Sequence, residues 1–453
     1  MNTVVIGAGI GGLACARTLA AAGEDVRVLE ASDRAGGVIR TVRKNGFLLE
    51  LGPNTVRATP EILALAADLG LQDRTLFSDP RAPRFIAIEG RLHRLPASPG
   101  EGFTTKILSF GGKLRLLAEP LVPRRRAAEE ESVLDFFSRR IGRQAAARLV
   151  TPFVSGIFAG NAGRLSAEGC FPTLAKGERE HGSLVGAVLA SRKSAPRPKG
   201  PKAPRLGLLS FQEGLETLPR AIAEALGSRL ETGRPALELS PSPARGSWSV
   251  RTETERLAAD RVVLACPAGA AARLVAAFAP EAAEALSAVP QPPLAVLHLA
   301  WPRAAFREKL NGFGHLVVPS PGRRVLGAVW SSALFAGRAP EGEELLTVFM
   351  GGASDPEAAE LPDGPLLQTA GREVGEALGL SALPRAVSIE RWKHAIPQYE
   401  IGHRGRMETL ARTEARWPGL RFLGSYRGGV SVGDVVKNGL AAAGAMRAAG
   451  DPK

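Results

Sequence analysis

Residues 2–12 read NTVVIGAGIGG, Leu13 to Gly23 read LACARTLAAAG, and Asp25 to Glu30 read DVRVLE. The apolar run 2–6 predicts a short strand, and Gly7 to Gly12 predict a tight turn. Leu13 to Ala22 predict a helix that Gly23 ends, and residues 25–29 predict a second strand. A strand, helix and strand in so few residues form a βαβ unit, which implies a parallel sheet. The turn Gly7-Ala8-Gly9-Ile10-Gly11-Gly12 is a GxGxxG. Gly7 permits the turn, Gly9 lets a pyrophosphate approach the backbone, and Gly12 lets helix and strand pack closely. The helix N-terminus then offers N–H groups and the positive end of its dipole to phosphate. Glu30, eighteen residues beyond Gly12, stands with Ala31 where a carboxylate can accept from ribose hydroxyls.

This motif does not separate FAD from NAD. Asp33-Arg34-Ala35-Gly36-Gly37 follows closely and is similar to the RxGG continuation of many FAD enzymes. Gly36 and Gly37 let the backbone run beside a cofactor, and Arg34 is expected to bring a cation near phosphate. Far downstream, residues 424–434 (GSYRGGVSVGD) precede a predicted final helix from Asp434 to Ala449. Small residues there permit close approach to a flat ring, above a helix end that stabilises negative charge. The segment contains no Cys, so a bound flavin is expected to be non-covalent.

The whole chain has 453 residues, 45% hydrophobic and 23% charged, with a formal net charge of +13. It is long enough for two or three domains with sizeable cores. Its three Cys are far apart and its six His do not pair at metal-ligand spacing, so neither a disulfide framework nor a metal site is expected. That cysteine usage fits a reducing cytoplasm. The apolar N-terminus lacks a basic leading segment and is broken by glycines, unlike a signal peptide. No window is long and apolar enough for a membrane span. Residues 60–69 predict a helix opened by Pro60, and 84–95 a hairpin around Glu89-Gly90. From about 93 to 204 the chain reads as helical. Ser132-x-x-Asp135 predicts a capping box ahead of an apolar stripe of Val133, Phe137, Ile141 and Leu149, with Pro152 as its stop. Residues 192–205 (RKSAPRPKGPKAPR) read as a loop too polar to order itself. Strands are expected near 262–266, 294–300, 325–330 and 345–350. The basic excess favours anionic partners, or simply reflects an Arg-rich composition. Arg124–Arg126 could attract an anionic bilayer or be neutralised by Glu129–Glu131. With 5% aromatic residues and no recognition motif, no nucleic-acid partner is expected.

The set Gly7–Gly12, Glu30, Asp33–Gly37, Glu50-Leu51-Gly52-Pro53-Asn54 and 424–434 resembles the flavin monoamine oxidase superfamily. Within it, residues 153–160 (FVSGIFAG), 312–317 (GFGHLV), Ile396-Pro397-Gln398-Tyr399 with Gly402-His403, and Ser425-Tyr426-Arg427-Gly428 look like the protoporphyrinogen oxidase family. A departure is Gly433-Asp434-Val435, where members often carry Asn-Asp-Cys. The resemblance implies an α/β fold: a discontinuous Rossmann-like FAD-binding domain of the GR2, amine-oxidase type (1–79, 205–272, 405–453). An α+β substrate-binding domain (80–92, 273–404) and a helical membrane-associating domain (93–204) complete it. It implies non-covalent FAD, with Gly52, Pro53, Asn54, Thr55, Val430, Ser431 and Val432 as contacts and Val38, Ala236 and Trp392 as weaker ones. Arg84 is placed against a substrate propionate, and Phe313, Gly314, Leu316, Leu326, Val329 and Phe349 around the macrocycle. Asn54 would face both flavin and substrate. The implied reaction is a six-electron oxidation of a porphyrinogen to a porphyrin of the haem pathway, with hydride passing to flavin N5 and oxygen becoming hydrogen peroxide. Protoporphyrinogen IX is favoured over coproporphyrinogen III. Amine oxidation, carotenoid desaturation and a non-catalytic tetrapyrrole carrier stay open. The resemblance names no catalytic base, and His315 and His403 read as structural. Arg84, Leu326, Val329, Phe349 and Trp392 could equally be ordinary packing or surface residues. A cytoplasmic protein is expected, attached peripherally to an anionic membrane face, and a homodimer is left open.

Overall fold

The computed structural model describes residues 1–125, 129–194, 207–242 and 247–448. A five-stranded parallel sheet has the order Leu230–Glu231, Asp25–Leu29, Asn2–Ile6, Arg261–Leu264 and Leu420–Phe422. Val4, Val5, Val28, Val262 and Val263 are fully buried, as expected of strands covered on both faces. The first helix is Ile10–Ala21, so it starts three residues before the expected Leu13, and Gly9 is its cap. The final helix, Val432–Ala448, also starts early: Asp434 N donates to Ser431 Oγ (3.1 Å), so the cap precedes Asp434. These two helices lie together on the sheet. A side chain at Gly439 would place its first carbon 2.5 Å from Gly11 O, so only glycine permits this approach. The two ends of the chain thus build one unit.

A seven-stranded sheet carries the order Arg385–Trp392, Leu294–Pro302, Glu343–Gly351, Val325–Val329, Gly314–Val317, Arg84–Ile88 and Arg91–Arg94. Its neighbours are antiparallel except Gly314–Val317 with Arg84–Ile88. Alternation assigns Ala295, Leu297, Ala328, Val348 and Met350 to a core beneath the helix Asp363–Leu378, whose Leu366, Ala370 and Val374 are fully buried. The opposite face looks toward the first unit.

A separate group of helices comprises Pro99–Thr104, Phe110–Leu117, Val133–Ile141, Thr151–Phe158, Pro172–His181 and Leu184–Ser194. The N-cap half of the capping box is present: Asp135 N donates to Ser132 Oγ (3.0 Å), and the Asp135 carboxylate accepts from the Ser132 hydroxyl (2.6 Å) in place of the Ser132 backbone N–H. Val133 and Phe137 are buried, whereas Ile141 and Leu149 are half-buried. Pro152 does not stop the helix. The break falls at Gly142 (φ +91°), and Pro152 lies inside the helical run that follows, directly after a π-helical turn at Ala146–Val150 that makes room for its ring and missing N–H. Of the expected loop 192–205, residues 192–194 instead close the helix Leu184–Ser194, and 195–205 lie outside the described residues, as does Arg126.

Candidate active site

The glycine loop fits a dinucleotide. A side chain at Gly12 would collide with Gly7 O, which is why helix and strand can touch there. One at Gly9 would meet nothing within 4 Å, so this position opens onto free space. No side chain caps the helix Ile10–Ala21, leaving its first N–H groups to a ligand. Ala8 N donates to Glu30 Oε2 (2.7 Å), and Ser32 N and Oγ donate to Glu30 Oε1 (2.9 and 2.7 Å). Ala31 is exposed beside it. Gly36 N donates to Ala8 O (2.8 Å), and Gly9 and Gly36 form a parallel bridge, so the 33–37 turn lies along the first loop. Arg34 is tied to the turn itself. Its guanidinium donates to the carbonyls of Ala35, Gly37 and Ile39 and pairs with Glu216 at 3.4 Å. It fixes the glycine turn rather than reaching into open space. A side chain at Gly52 would collide with Val38 O, so Val38, half exposed at 51%, borders the 52–55 loop. Trp392 Nε1 donates to Leu51 O (2.8 Å), which attaches that loop to the seven-stranded sheet. Ala236 packs partly buried on the first unit's core, just beyond Gly233 and Arg234, whose N–H groups donate to Ser32 O (2.7 Å) and Glu30 O (2.8 Å).

Gly424–Asp434 returns to the same place. Val432 is buried, Ser431 supplies the helix cap, and Val430 packs on the helical region's core. Val435, at the position where the resembled family often has Cys, faces Gly11: a first side-chain carbon there would lie 2.8 Å from Val435 Cγ1. The departure therefore fills helix-to-helix packing.

The seven-stranded sheet brings most of the expected substrate residues into one row. Gly314 pairs with both Arg84 and Val329, Leu316 with Ile86 and Gly327, and Phe349 with Gly327 and Val296. Paired residues share a face, so Arg84, Gly314, Leu316, Val329 and Phe349 lie together. Leu316, Val329 and Phe349 are half-exposed, against full burial of Val348 and Met350, while Gly314 is buried and Arg84 exposed at the end of the row. Trp392 pairs with Leu294 and sits at its far end. Leu326 falls at the irregularity between Val325 and Gly327, so the ladder gives it no partner. The Arg84 guanidinium lies 5.6 Å from the Phe313 ring centre. Leu316 is covered by the helix Thr151–Phe158 at Gly156, where any side chain would strike Leu316 Cδ2.

A small cavity of about 10 Å³, room for one water, joins this face to the 50–55 loop. Glu50, Asn54, Thr55, Val329 and Arg338 are among its walls, so Asn54 shares a cavity with Val329 of the seven-stranded sheet. Sequence reasoning missed Arg338 and the side chain of Glu50. They form a buried pair at 3.7 Å, 2% and 4% exposed. Burial pushes the Glu50 carboxyl up to about 7, against the Thr41 hydroxyl and Arg338. Nothing in the local pattern links a 50 to a 338. His298 donates from Nε2 to Glu50 O (3.1 Å), which makes it the Nε2–H tautomer. His315 lies on the core face with Nδ1 accepting from Trp330 Nε1 (3.2 Å). His403 stacks on Tyr399 at 4.0 Å. Both are packed as structural groups.

The chain belongs to the family of flavin-containing amine oxidoreductases, whose match runs over residues 10–447. It is therefore a flavin oxidoreductase with FAD as cofactor, and the Gly9 opening and uncapped helix end fit that group. The chain is 33% identical over 463 residues to the chloroplastic protoporphyrinogen oxidase of Nicotiana tabacum, covering 96% of this chain and 84% of that protein. It is 34% identical over 475 residues to the protoporphyrinogen oxidase of Homo sapiens, covering 98% and 97%. Among solved structures, a provisionally named protoporphyrinogen oxidase of Exiguobacterium superposes with a TM-score of 0.80 at 24% identity, over 99% of each chain. Putrescine oxidase bound to putrescine superposes at 0.71 with 17% identity, over 99% of each chain, a likeness of fold.

Proposed function

We propose that this chain oxidises protoporphyrinogen IX to protoporphyrin IX with dioxygen as acceptor. The observation that carries this is its identity of 33–34% with named protoporphyrinogen oxidases over nearly its whole length. Three two-electron steps are needed, and each removes one hydride and one proton from the porphyrinogen and turns one dioxygen into hydrogen peroxide. When bound, FAD supplies the two-electron acceptor, taking hydride at N5 and returning the pair to oxygen. The protein's own work is placement. Gly9, Gly36 and Gly37 give the cofactor's phosphates backbone to approach, Gly7 and Gly12 hold the turn and the helix–strand contact beneath it, and Glu30 stands toward the ribose. The row Gly314, Leu316, Val329 and Phe349 offers an apolar face to a flat macrocycle, and Arg84, held over Phe313, pairs with a propionate as a charge-assisted contact. Asn54 orients the substrate against the ring. No side-chain base is invoked, because the pyrrole nitrogens can shed protons to water as the product aromatises.

The three sequence segments assigned to an FAD part, a substrate part and a helical part are proposed as domains. The helical part is proposed to rest on an anionic membrane surface at the cytoplasmic face. Phe110, Leu114 and Leu117 occupy one side of their helix and are 77, 52 and 57% exposed, and Leu121 beyond it is 84% exposed. Among the described residues, no helix is long and apolar enough to cross a membrane.

The deciding experiment adds protoporphyrinogen IX or coproporphyrinogen III anaerobically to the purified yellow protein. Faster bleaching by protoporphyrinogen, with recolouring in air and peroxide formed, is expected. Faster bleaching by coproporphyrinogen overturns the substrate assignment. A flavin that stays oxidised with both overturns the oxidase reading.

A further inference from the structure

Tyr399 has no place in the chemistry above, yet its surroundings are built around it. Its ring is 3% exposed and stacks on His403 with centres 4.0 Å apart and planes 10° from parallel. Its hydroxyl donates to Ser425 O (2.7 Å) and accepts from Gly429 N (3.0 Å). One phenol thus closes both ends of the turn 425–429. Gly429 stands at φ +123°, a conformation that favours glycine and that the hydrogen bond at its N–H helps hold. The turn opens directly into Val430–Val432 and the capped N-terminus of the last helix.

The anchor itself is fixed from the other side. Ser166 N donates to Tyr399 O (2.8 Å), and Gln398 Nε2 donates to Phe158 O (2.8 Å). Gln398 is 1% exposed. The tyrosine therefore cannot follow the loop, and the loop must conform to the tyrosine. Burial pushes the phenol well above its ordinary range, so it stays protonated and keeps both its donor and its acceptor role. Burial likewise pushes His403 down to about 4, so the stack is neutral at physiological pH.

We propose that Tyr399 is a positioning residue for the flavin: its hydroxyl sets the 424–429 turn so that the following backbone and helix end meet the pyrimidine side of the ring. This rests on the reading that residues 424–434 face FAD. Backbone N–H groups and a helix N-terminus aimed at that edge favour the anionic reduced form over the oxidised form. Loosening the turn therefore weakens the reduced state more than the oxidised one.

Tyr399→Phe retains the ring, the stack and the volume, and removes both hydrogen bonds. The variant is expected to keep its fold by circular dichroism, to bind FAD about tenfold more weakly, and to lose about tenfold of its preference for reduced over oxidised flavin. For a two-electron couple that is about 30 mV off the midpoint potential. A purely structural role would lower the melting temperature and leave the potential in place. Unchanged potential with unchanged FAD affinity overturns the proposal.

A second measurement does not depend on that variant folding. The chain contains two tyrosines, Tyr399 and Tyr426. Protein labelled with 3-fluorotyrosine gives two fluorine resonances, assigned by Tyr426→Phe. The Tyr399 resonance is expected to move when FAD is added to the apoprotein and again on dithionite reduction. A Tyr399 resonance that stays still through both steps overturns the proposal. Apoprotein that takes up no FAD at all refutes the FAD reading instead, which is a separate outcome.

Discussion

Lowering the pH from 7 to 4.5 should remove most of this protein's stability, through three histidines that touch no substrate. His298, His315 and His403 are 0, 3 and 4% exposed, and burial pushes each imidazole from about 6.5 down to about 4. The unfolded chain takes a proton on each near pH 6.5, whereas the folded chain holds out until about 4. The stability from keeping them neutral is thus fully present above 6.5 and is lost as the pH falls through 4. A gap of 2.5 units is worth about 3 kcal/mol per residue. Glu50 acts oppositely. Its folded value is raised, to about 7, so its contribution is present below 4.5 and lost as the pH rises through 7. Titrating all four groups together leaves a net loss of roughly 5 kcal/mol between pH 7 and 4.5, comparable to the whole stability of many domains. Equilibrium urea unfolding at pH 7, 6 and 5, followed by tryptophan fluorescence and by flavin release, measures it. His298→Gln, which keeps a donor toward Glu50 O, should remove about a third of the histidine slope. Equal unfolding free energies at pH 7 and pH 5 would refute the reasoning.

Arg84→Ala should raise the apparent Michaelis constant for the porphyrinogen about tenfold or more, the scale of one charge-assisted contact, while flavin content stays constant; loss of FAD would place Arg84 in the wrong half of the site. Gly12→Ala forces a carbon against Gly7 O and should cost about 1–3 kcal/mol, read as weaker FAD retention on gel filtration. Arg140→Ala removes a fully buried guanidinium that donates from Nε to Glu119 Oε1 at 2.7 Å and strands a carboxylate that is 1% exposed. A loss of about 3–5 kcal/mol is expected, seen as a lower melting temperature with unchanged flavin spectrum below it. Phe110→Glu together with Leu117→Glu should reduce sedimentation with anionic vesicles and leave turnover of detergent-dispersed substrate intact.

The glycine loop was legible because everything it needs lies within thirty residues: strand, turn, helix, strand and Glu30 report on one another locally. The macrocycle row was half legible. Alternation along Leu326–Val329 and at Phe349 indicates that one side of each strand faces a core, but not which. That choice is made by the parallel pairing of Arg84 with Gly314, which no local pattern contains, and a bulge then removes Leu326 from the count. Arg34 was half legible: a cation beside two glycines is plain in the sequence, but its bonds to the carbonyls of Ala35, Gly37 and Ile39 depend on how the turn folds. Pro152 does not stop its helix because a π-helical turn at Ala146–Val150 precedes it and absorbs the proline, a local widening that the residue pattern does not announce. The Glu50–Arg338 pair and the Tyr399 anchor were invisible for one reason: each joins segments that meet only after the sheets have formed.

The cofactor cradle has the strand Leu420–Phe422 as one edge of its sheet and the helix Val432–Ala448 against its first helix. During synthesis the glycine loop emerges some four hundred residues before the helix that covers it. The nascent chain must therefore hold an unfinished apolar sheet until Leu420–Phe422 and Val432–Ala448 have followed, a long exposure for fully buried strands such as Val4–Val5 and Val262–Val263. Truncation near the C-terminus should then behave as a folding defect of the N-terminal half, and chaperone demand should be set by the time the ribosome takes to reach Leu420.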